Sequence, residues 1–236
     1  QDIPSENSIA VGSPSLLPKK ILEKINYQSS YNHSDKQKII FATKSPASYK
    51  SNIDIAKALA IFSIDNNCEL EVRIHPLSLV RKSNELEKMI KLSKKYNFYI
   101  RYPKSNQAKV MLDSNKDNLA YTSKPNDILI TIYSTMNIEA AYLGIKCINI
   151  DFATKEGKEY SPRVNIKIDR RQLHNQRILN YGYIHNVYSM NNLIETIKKI
   201  RADNNKSIEN KNKQQILINK ECLPMYDVDY LLQVIR

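Results

Sequence analysis

From Lys38 onward the chain repeats one unit, a short run of apolar and mostly β-branched residues, a polar break, then a longer segment with apolar residues every three or four positions. Ile39-Ile40-Phe41-Ala42 is the first such run, and its lack of polar alternation predicts a strand buried on both faces. Ile53, Ala56, Leu59, Ala60 and Ser63 follow at helical spacing over 53–64, and Asp65-Asn66-Asn67 is expected to end that helix. The same pattern predicts strands at 70–74, 98–100, 127–132, 146–150 and 183–187, and helices at 85–96, 107–112, 135–143 and 191–200. Strands alternating with helices at this interval imply right-handed crossovers, which build a parallel sheet with helices on both sides. The expected fold class is therefore α/β, a doubly wound parallel sheet spanning residues 37–204. Residues 1–36 read as a linker with a short strand at 9–11 and a helix from Pro18, and residues 205–236 as terminal helices at 207–220 and 228–236.

The 236 residues suit one such unit with flanking segments, and 25% charged with 42% hydrophobic residues is the balance of a folded, water-exposed protein. No apolar run reaches the roughly 18 residues of a membrane span. The first residues lack the layout of a signal peptide. Cys68, Cys147 and Cys222 are an odd, widely spaced set, which fits a reducing, cytoplasmic setting and predicts neither a disulfide framework nor a metal site. A net charge of +12 suits nucleic acid, an anionic membrane or phosphorylated substrates alike. The excess is spread along segments such as Lys82, Lys88, Lys91, Lys94 and Lys95, and the Tyr residues are scattered, so no specific nucleic-acid partner is expected.

In an open parallel sheet, ligands bind beyond the carboxyl ends of the strands. Three such places carry chemistry. After the strand at 127–132 come Ser134 and Thr135, which open a helix where unpaired N–H groups favour an anion such as phosphate. An ordinary N-cap would also want Ser134. Glu139, one turn beyond Thr135 on the same face, has the carboxylate to accept ribose or sugar hydroxyls, and Gly144 stands where a left-handed residue ends such a helix. After the strand at 70–74, Pro76 fixes the turn that presents His75, an imidazole suited to hydrogen-bonding or protonating a phosphate. After the first strand, Thr43, Lys44 and Ser45 offer hydroxyls and an ammonium for donor or acceptor contacts, without a Gly-rich loop. Lys155, Lys158 and Arg163 form a further basic loop, and Arg170, Arg171 and His174 a basic cluster with a solvated or membrane-facing role.

The segment Ile128 to Ile150, with Ser134-Thr135, Glu139, Ala140-Ala141 and Gly144, resembles the donor-site segment of GT-B glycosyltransferases and of the related nucleotide-sugar 2-epimerases and glycerophosphotransferases. His75-Pro76 ahead of Ser134-Thr135 is similar to the arrangement in bacterial sialyltransferases and capsule polysaccharide transferases. That resemblance implies a Rossmann-like domain, the C-terminal half of a GT-B architecture, that binds a CMP- or CDP-linked sugar for surface polysaccharide or glycolipid synthesis. It implies His75 as the catalytic group, His75, Pro76, Ser134 and Thr135 around the donor phosphate, and Glu139 at the ribose or sugar. It further implies an acceptor-binding domain ahead of residue 1 that carries the base, a glycan or lipid-linked acceptor, contact with the inner membrane, and no cofactor or metal. A nucleotide-sugar 2-epimerase or glycerophosphotransferase of the same fold is the alternative activity, and a non-catalytic basic module binding nucleic acid or anionic lipid is the rival from another class.

Overall fold

The computed structural model describes residues 36–80, 84–103, 119–154, 166–203 and 208–221. Its strands are β1 (Lys38–Ala42), β2 (Glu69–Arg73), β3 (Tyr99–Arg101), β4 (Ile128–Thr131), β5 (Lys146–Ile150) and β6 (His185–Val187). All neighbours pair in parallel, in the order β3-β2-β1-β4-β5-β6. The helices are α1 (Asn52–Asp65), α2 (Pro76–Val80), α3 (Asn84–Tyr96), α4 (Leu119–Thr122), α5 (Met136–Tyr142), α6 (Ile166–Arg171), α7 (Leu173–Asn180), α8 (Met190–Ala202) and α9 (Ile208–Glu221). The chain thus has the α/β, doubly wound parallel sheet expected from its periodicity. No helix among the described residues is long and apolar enough to cross a membrane.

Side-chain alternation assigns the two sheet faces. Ile39, Phe41, Ile128, Ile130, Ile148 and Ile150 join α1, α3 and α8 in one core, while Ile40, Leu129 and Cys147 join α4, α5, α7 and α9 in the other. Because β1 and β4 are covered on both sides, their side chains are apolar without alternation, which is why the pattern reads as continuous. Four helix ends follow one rule despite a chain with only 4 glycines. Asn67, Asn97, Gly144 and Gly182 take left-handed φ values of 49°, 53°, 73° and 73° just past α1, α3, α5 and α7. At Gly144 the bonds Ile145 N–H to Ala140 C=O (2.9 Å) and Gly144 N–H to Ala141 C=O (3.1 Å) close the last turn of α5 and release the chain into β5.

The structure trims several expected elements for physical reasons. The strand expected at 127–132 is Ile128–Thr131, because the Asp127 carboxylate turns aside to accept the Lys38 and Lys124 N–H groups, both at 2.9 Å. The strand expected at 183–187 is only His185–Val187, since Tyr183 and Ile184 drop into the core and the Tyr183 hydroxyl donates to the Ile145 carbonyl at 3.0 Å. Helices α2, α4, α6 and α7 were not expected; they are short, and α6 buries Ile166 alone, too little apolar signal for periodicity to register. The elements expected at 9–11, from Pro18, at 107–112 and at 228–236 lie outside the described residues.

One buried charge cluster sits on the second face. Glu71 is 2% exposed on β2 and accepts bonds from Arg73 Nε (2.8 Å) and Arg101 Nε (2.9 Å), with Lys38 Nζ at 3.8 Å. Burial alone would raise its carboxyl, but the Arg101 hydrogen bond and the charges of Arg73, Arg101 and Lys38 prevail and hold it below its ordinary 4.5. Removing the carboxylate leaves three cations facing one another. Glu71→Gln is therefore expected to cost about 3 kcal/mol in urea unfolding at neutral pH. A depressed carboxyl contributes stability above its unfolded value and loses it in acid, so the gap between variant and parent should narrow as pH falls below 4.5.

Candidate functional site

The strand order reverses at β1. The chain moves outward from β1 to β2 and β3, then returns to β1's other side at β4 and moves outward to β5 and β6. Connections leaving the carboxyl ends of β1 and β4 diverge and leave a crevice between them. A cleft of about 270 Å3 opens there, walled by Ala42 at the end of β1 with Thr43 and Lys44 after it, Arg73 at the end of β2 with Ile74, His75 and Pro76 after it, and Ile132, Tyr133, Ser134 and Met136 after β4. The larger hollow, about 960 Å3 around Lys38, Cys68 and Phe98, opens at the start of β2 and β3, away from this reversal.

His75 occupies the turn between β2 and α2. Its Nδ1 accepts the Leu77 N–H at 3.2 Å, which assigns the ring proton to Nε2. Burial, reinforced by the charge of Lys44, holds the imidazole below its ordinary 6.5, so the ring is neutral at pH 7 and offers Nε2–H as a donor. Thr43 supports this placement rather than presenting a free hydroxyl. Its Oγ1 accepts the His75 N–H at 2.8 Å and donates to the Arg73 carbonyl at 3.1 Å, pinning the end of β1 to the end of β2.

Lys44 supplies the ammonium of the cleft, and two contacts fix it. Its Nζ lies 2.6 Å from Asp169 Oδ2 on α6, while the Asn52 side chain accepts its N–H at 3.2 Å and donates to its carbonyl at 2.8 Å. Ser45 is buried outside the cleft walls, where its carbonyl accepts the N–H groups of Ser48 and Tyr49.

The turn after β4 is the strained part of the site. Tyr133 has φ of 48°, a left-handed conformation that a bulky residue adopts only when its surroundings enforce it. Asn149 Oδ1 accepts its N–H at 2.7 Å, and its phenol faces Asp151 and Arg170. Burial and the Asp151 carboxylate push that phenol well above its ordinary 10, keeping it protonated. Ser134 follows in the cleft wall, and its Oγ accepts the Met136 N–H at 3.2 Å. It thus serves the first N–H of α5 from the residue before the N-cap rather than as the N-cap itself, and an accepting hydroxyl still has its own proton to give.

Thr135 stands at the N-cap position of α5, exposed, outside the cleft walls and without a side-chain capping bond. Glu139 is also outside the walls. One of its oxygens is buried and its charge acts on the guanidinium of Arg73, itself a wall residue. The basic cluster expected at Arg170, Arg171 and His174 divides: Arg170 Nε grips Asp151 at 2.8 and 3.0 Å, while Arg171 and His174 are exposed. Lys155, Lys158 and Arg163 lie outside the described residues. Sequence reasoning missed Asn52, Tyr133 and Asp169. The first two owe their roles to backbone geometry, and Asp169 to a helix that periodicity did not reveal.

A comparison with protein-family models finds no match. A comparison with curated proteins finds none either. Among solved structures, the UDP-GlcNAc 2-epimerase of Methanocaldococcus jannaschii, crystallised with UDP-GlcNAc and UDP, superposes with a TM-score of 0.53 at 13% identity, over 91% of this chain and 55% of that one. The chain has a GT-B-like fold. WaaG, a glycosyltransferase involved in lipopolysaccharide biosynthesis, gives a TM-score of 0.48 at 13% identity, over 94% of this chain and 54% of that one. The chain therefore spans about half the length of each.

The cleft makes a spectroscopic prediction that needs no ligand. In an NMR titration the His75 imidazole is expected to titrate below 6.5. Lys44→Met should move it part of the way back, because burial, the larger cause, remains. A His75 value unmoved by that substitution would contradict the placement of the Lys44 ammonium beside it.

Proposed function

We propose that the chain binds the phosphate portion of a nucleotide-activated sugar and is the donor-binding part of a glycosyltransferase, with a CMP- or CDP-linked donor. One observation carries this reading: the cleft at the strand-order reversal brings His75, Lys44 and Ser134 into one wall set. Each suits a departing phosphate. The neutral His75 ring donates through Nε2, Ser134 offers a hydroxyl beside the strained Tyr133 turn, and Lys44 supplies positive charge. Groups fixed before the reaction stabilise developing charge without reorganising, which is where such donors contribute most. Charge neutralisation at the phosphate falls to these side chains. In the same reading Pro76 flanks the phosphate from the cleft wall, Thr135 and Glu139 meet the phosphate and the ribose or sugar only where the donor extends past that wall, and the acceptor is a glycan or a lipid-linked glycan assembled at the inner membrane leaflet.

The fold likeness to an epimerase that holds UDP-GlcNAc and UDP favours a second reading, a nucleotide-sugar 2-epimerase. An epimerase acts without a glycosyl acceptor, so turnover of donor alone by the full-length protein separates the two.

Isothermal titration with CMP, CDP, UDP and GDP tests what both readings share. Saturable binding of one nucleotide is expected, with His75→Ala and Ser134→Ala each weakening it about tenfold, the worth of one hydrogen bond to a charged group. Binding that collapses with salt and ignores both substitutions would instead mark a basic module gripping polyanions by charge alone. Binding that protonates His75 would take up a proton, read as a heat that depends on the buffer near pH 6.

A further inference from the structure

We propose that Asn52 and Glu85 are positioning residues of the phosphate cleft: the Asn52 amide clasps both main-chain groups of Lys44, and the Glu85 carboxylate fixes which way that amide faces. Asn52 is fully buried at the start of α1. Its Oδ1 accepts the Lys44 N–H at 3.2 Å and its Nδ2 donates to the Lys44 carbonyl at 2.8 Å, so this side chain acts toward the loop as a neighbouring strand would. The clasp works in one orientation only. A flipped amide would set its NH2 against the Lys44 N–H and its oxygen against the Lys44 carbonyl, two repulsive contacts in a buried place. The Lys44 backbone does not decide this alone, because Nδ2 also faces the Tyr49 carbonyl at 3.4 Å and donates to Glu85 Oε1 at 3.1 Å, the one ionisable acceptor of the three, brought in by α3. A carboxylate accepts only, and when ionised it accepts more strongly than a neutral group.

This arrangement also titrates. Burial pushes the Glu85 carboxyl up to about 7, against the opposing Asn52 hydrogen bond and Lys50 charge. Among the described residues, Lys50 is the charged group facing Glu85 from the β1–α1 loop. Asp54 of α1 is engaged with Thr154, α2 carries no charged residue, and Glu87 and Lys88 on α3 are exposed. The amide is therefore held hardest above neutrality, where Glu85 is ionised, and less firmly as the carboxyl takes a proton.

The functional half of this inference rests on the nucleotide reading, and the test separates them. Amide hydrogen exchange of Lys44, followed by NMR between pH 6 and 8 and corrected for intrinsic rates, reads the clasp without ligand. In the parent protein Lys44 protection should rise with pH relative to the other amides of α1 and α3, because the ionised carboxyl is the stronger acceptor for the clasp while the cost of its buried charge weakens the whole region alike. Glu85→Gln keeps an acceptor oxygen but cannot titrate, so protection should stay flat. Glu85→Leu removes the acceptor and should lower Lys44 protection about tenfold at pH 8, roughly the worth of a hydrogen bond to a charged group. An unchanged melting temperature would exclude general unfolding as the cause. Nucleotide affinity should fall about tenfold in Glu85→Leu and hold in Glu85→Gln. Equal Lys44 protection in all three proteins overturns the proposal, as does undiminished nucleotide affinity in Glu85→Leu. Protection that follows Glu85 in a chain binding no nucleotide would sink the nucleotide reading and leave the clasp standing.

Discussion

Everything at the candidate site depends on β1 lying inside the sheet with β2 on one side and β4 on the other. Ile39, Ile40 and Phe41 are fully buried, and this strand shares ladders with both neighbours, Ile39 opposite Leu70 and Ile128. A parallel strand in that position must leave the sheet at its carboxyl end toward one face, while β4 leaves toward the other. The crevice between the two departures follows from chain direction and right-handed crossovers, without any particular side chain. What sequence adds is its furnishing: a hydroxyl residue to tie β1 to β2, an imidazole at the next turn, and a strained turn after β4.

The core tolerates this edge because several polar groups buried near it are paired. Thr131 Oγ1 donates to Asn137 Oδ1 at 3.0 Å, Asn149 serves both the Tyr133 N–H and Asn186, and the Tyr49 hydroxyl reaches the Phe152 carbonyl at 2.8 Å. These bonds connect strand ends to the turns beyond them. A left-handed tyrosine costs on the order of 1–3 kcal/mol, and such a conformation persists only where the surroundings over-determine it. Asn149 from β5 and the Asp151–Arg170 pair act on Tyr133 from two directions, so the turn that carries Ser134 is fixed by residues far along the chain.

This explains which parts were legible in the sequence. The β1 and β4 runs and the α1 period report burial, which composition records directly, and the fold class follows from their alternation. His75 and Ser134 stand in the cleft wall because a residue just beyond a strand is placed by topology alone. Thr43 was placed correctly but its hydroxyl is spent on the backbone, a fact set by the Ala42–Arg73 register that no local pattern states. Glu139 shares a helix face with Thr135, yet neither lies in the cleft wall, because α5 begins at Met136 and the buried Arg73 draws the Glu139 charge toward the sheet. Spacing along a helix gives the face but not the partner opposite it. Arg170 and Asp169 sit side by side in sequence and pair with carboxylate and ammonium from different strand ends, a relation visible only in three dimensions.

The charge pattern carries one more step. A net charge of +12 suggests a strongly attractive cleft, but the cations at this edge are largely matched: Lys44 by Asp169, Arg170 by Asp151 and Arg73 by Glu71, with His75 neutral. Under the proposed reading, an incoming phosphate does not meet bare charge. To engage Lys44 it must compete with a carboxylate at 2.6 Å, both partners being mostly shielded from water. Gain at the phosphate is then offset by what Asp169 loses, as in any exchange of one partly buried ion pair for another. Discrimination in such a cleft comes from geometry: whether a ligand can satisfy the Nε2–H of His75 and the hydroxyl of Ser134 while leaving Asp169 a new partner. A sugar nucleotide has hydroxyls next to its phosphates and can offer both, whereas a simple polyanion offers only the first.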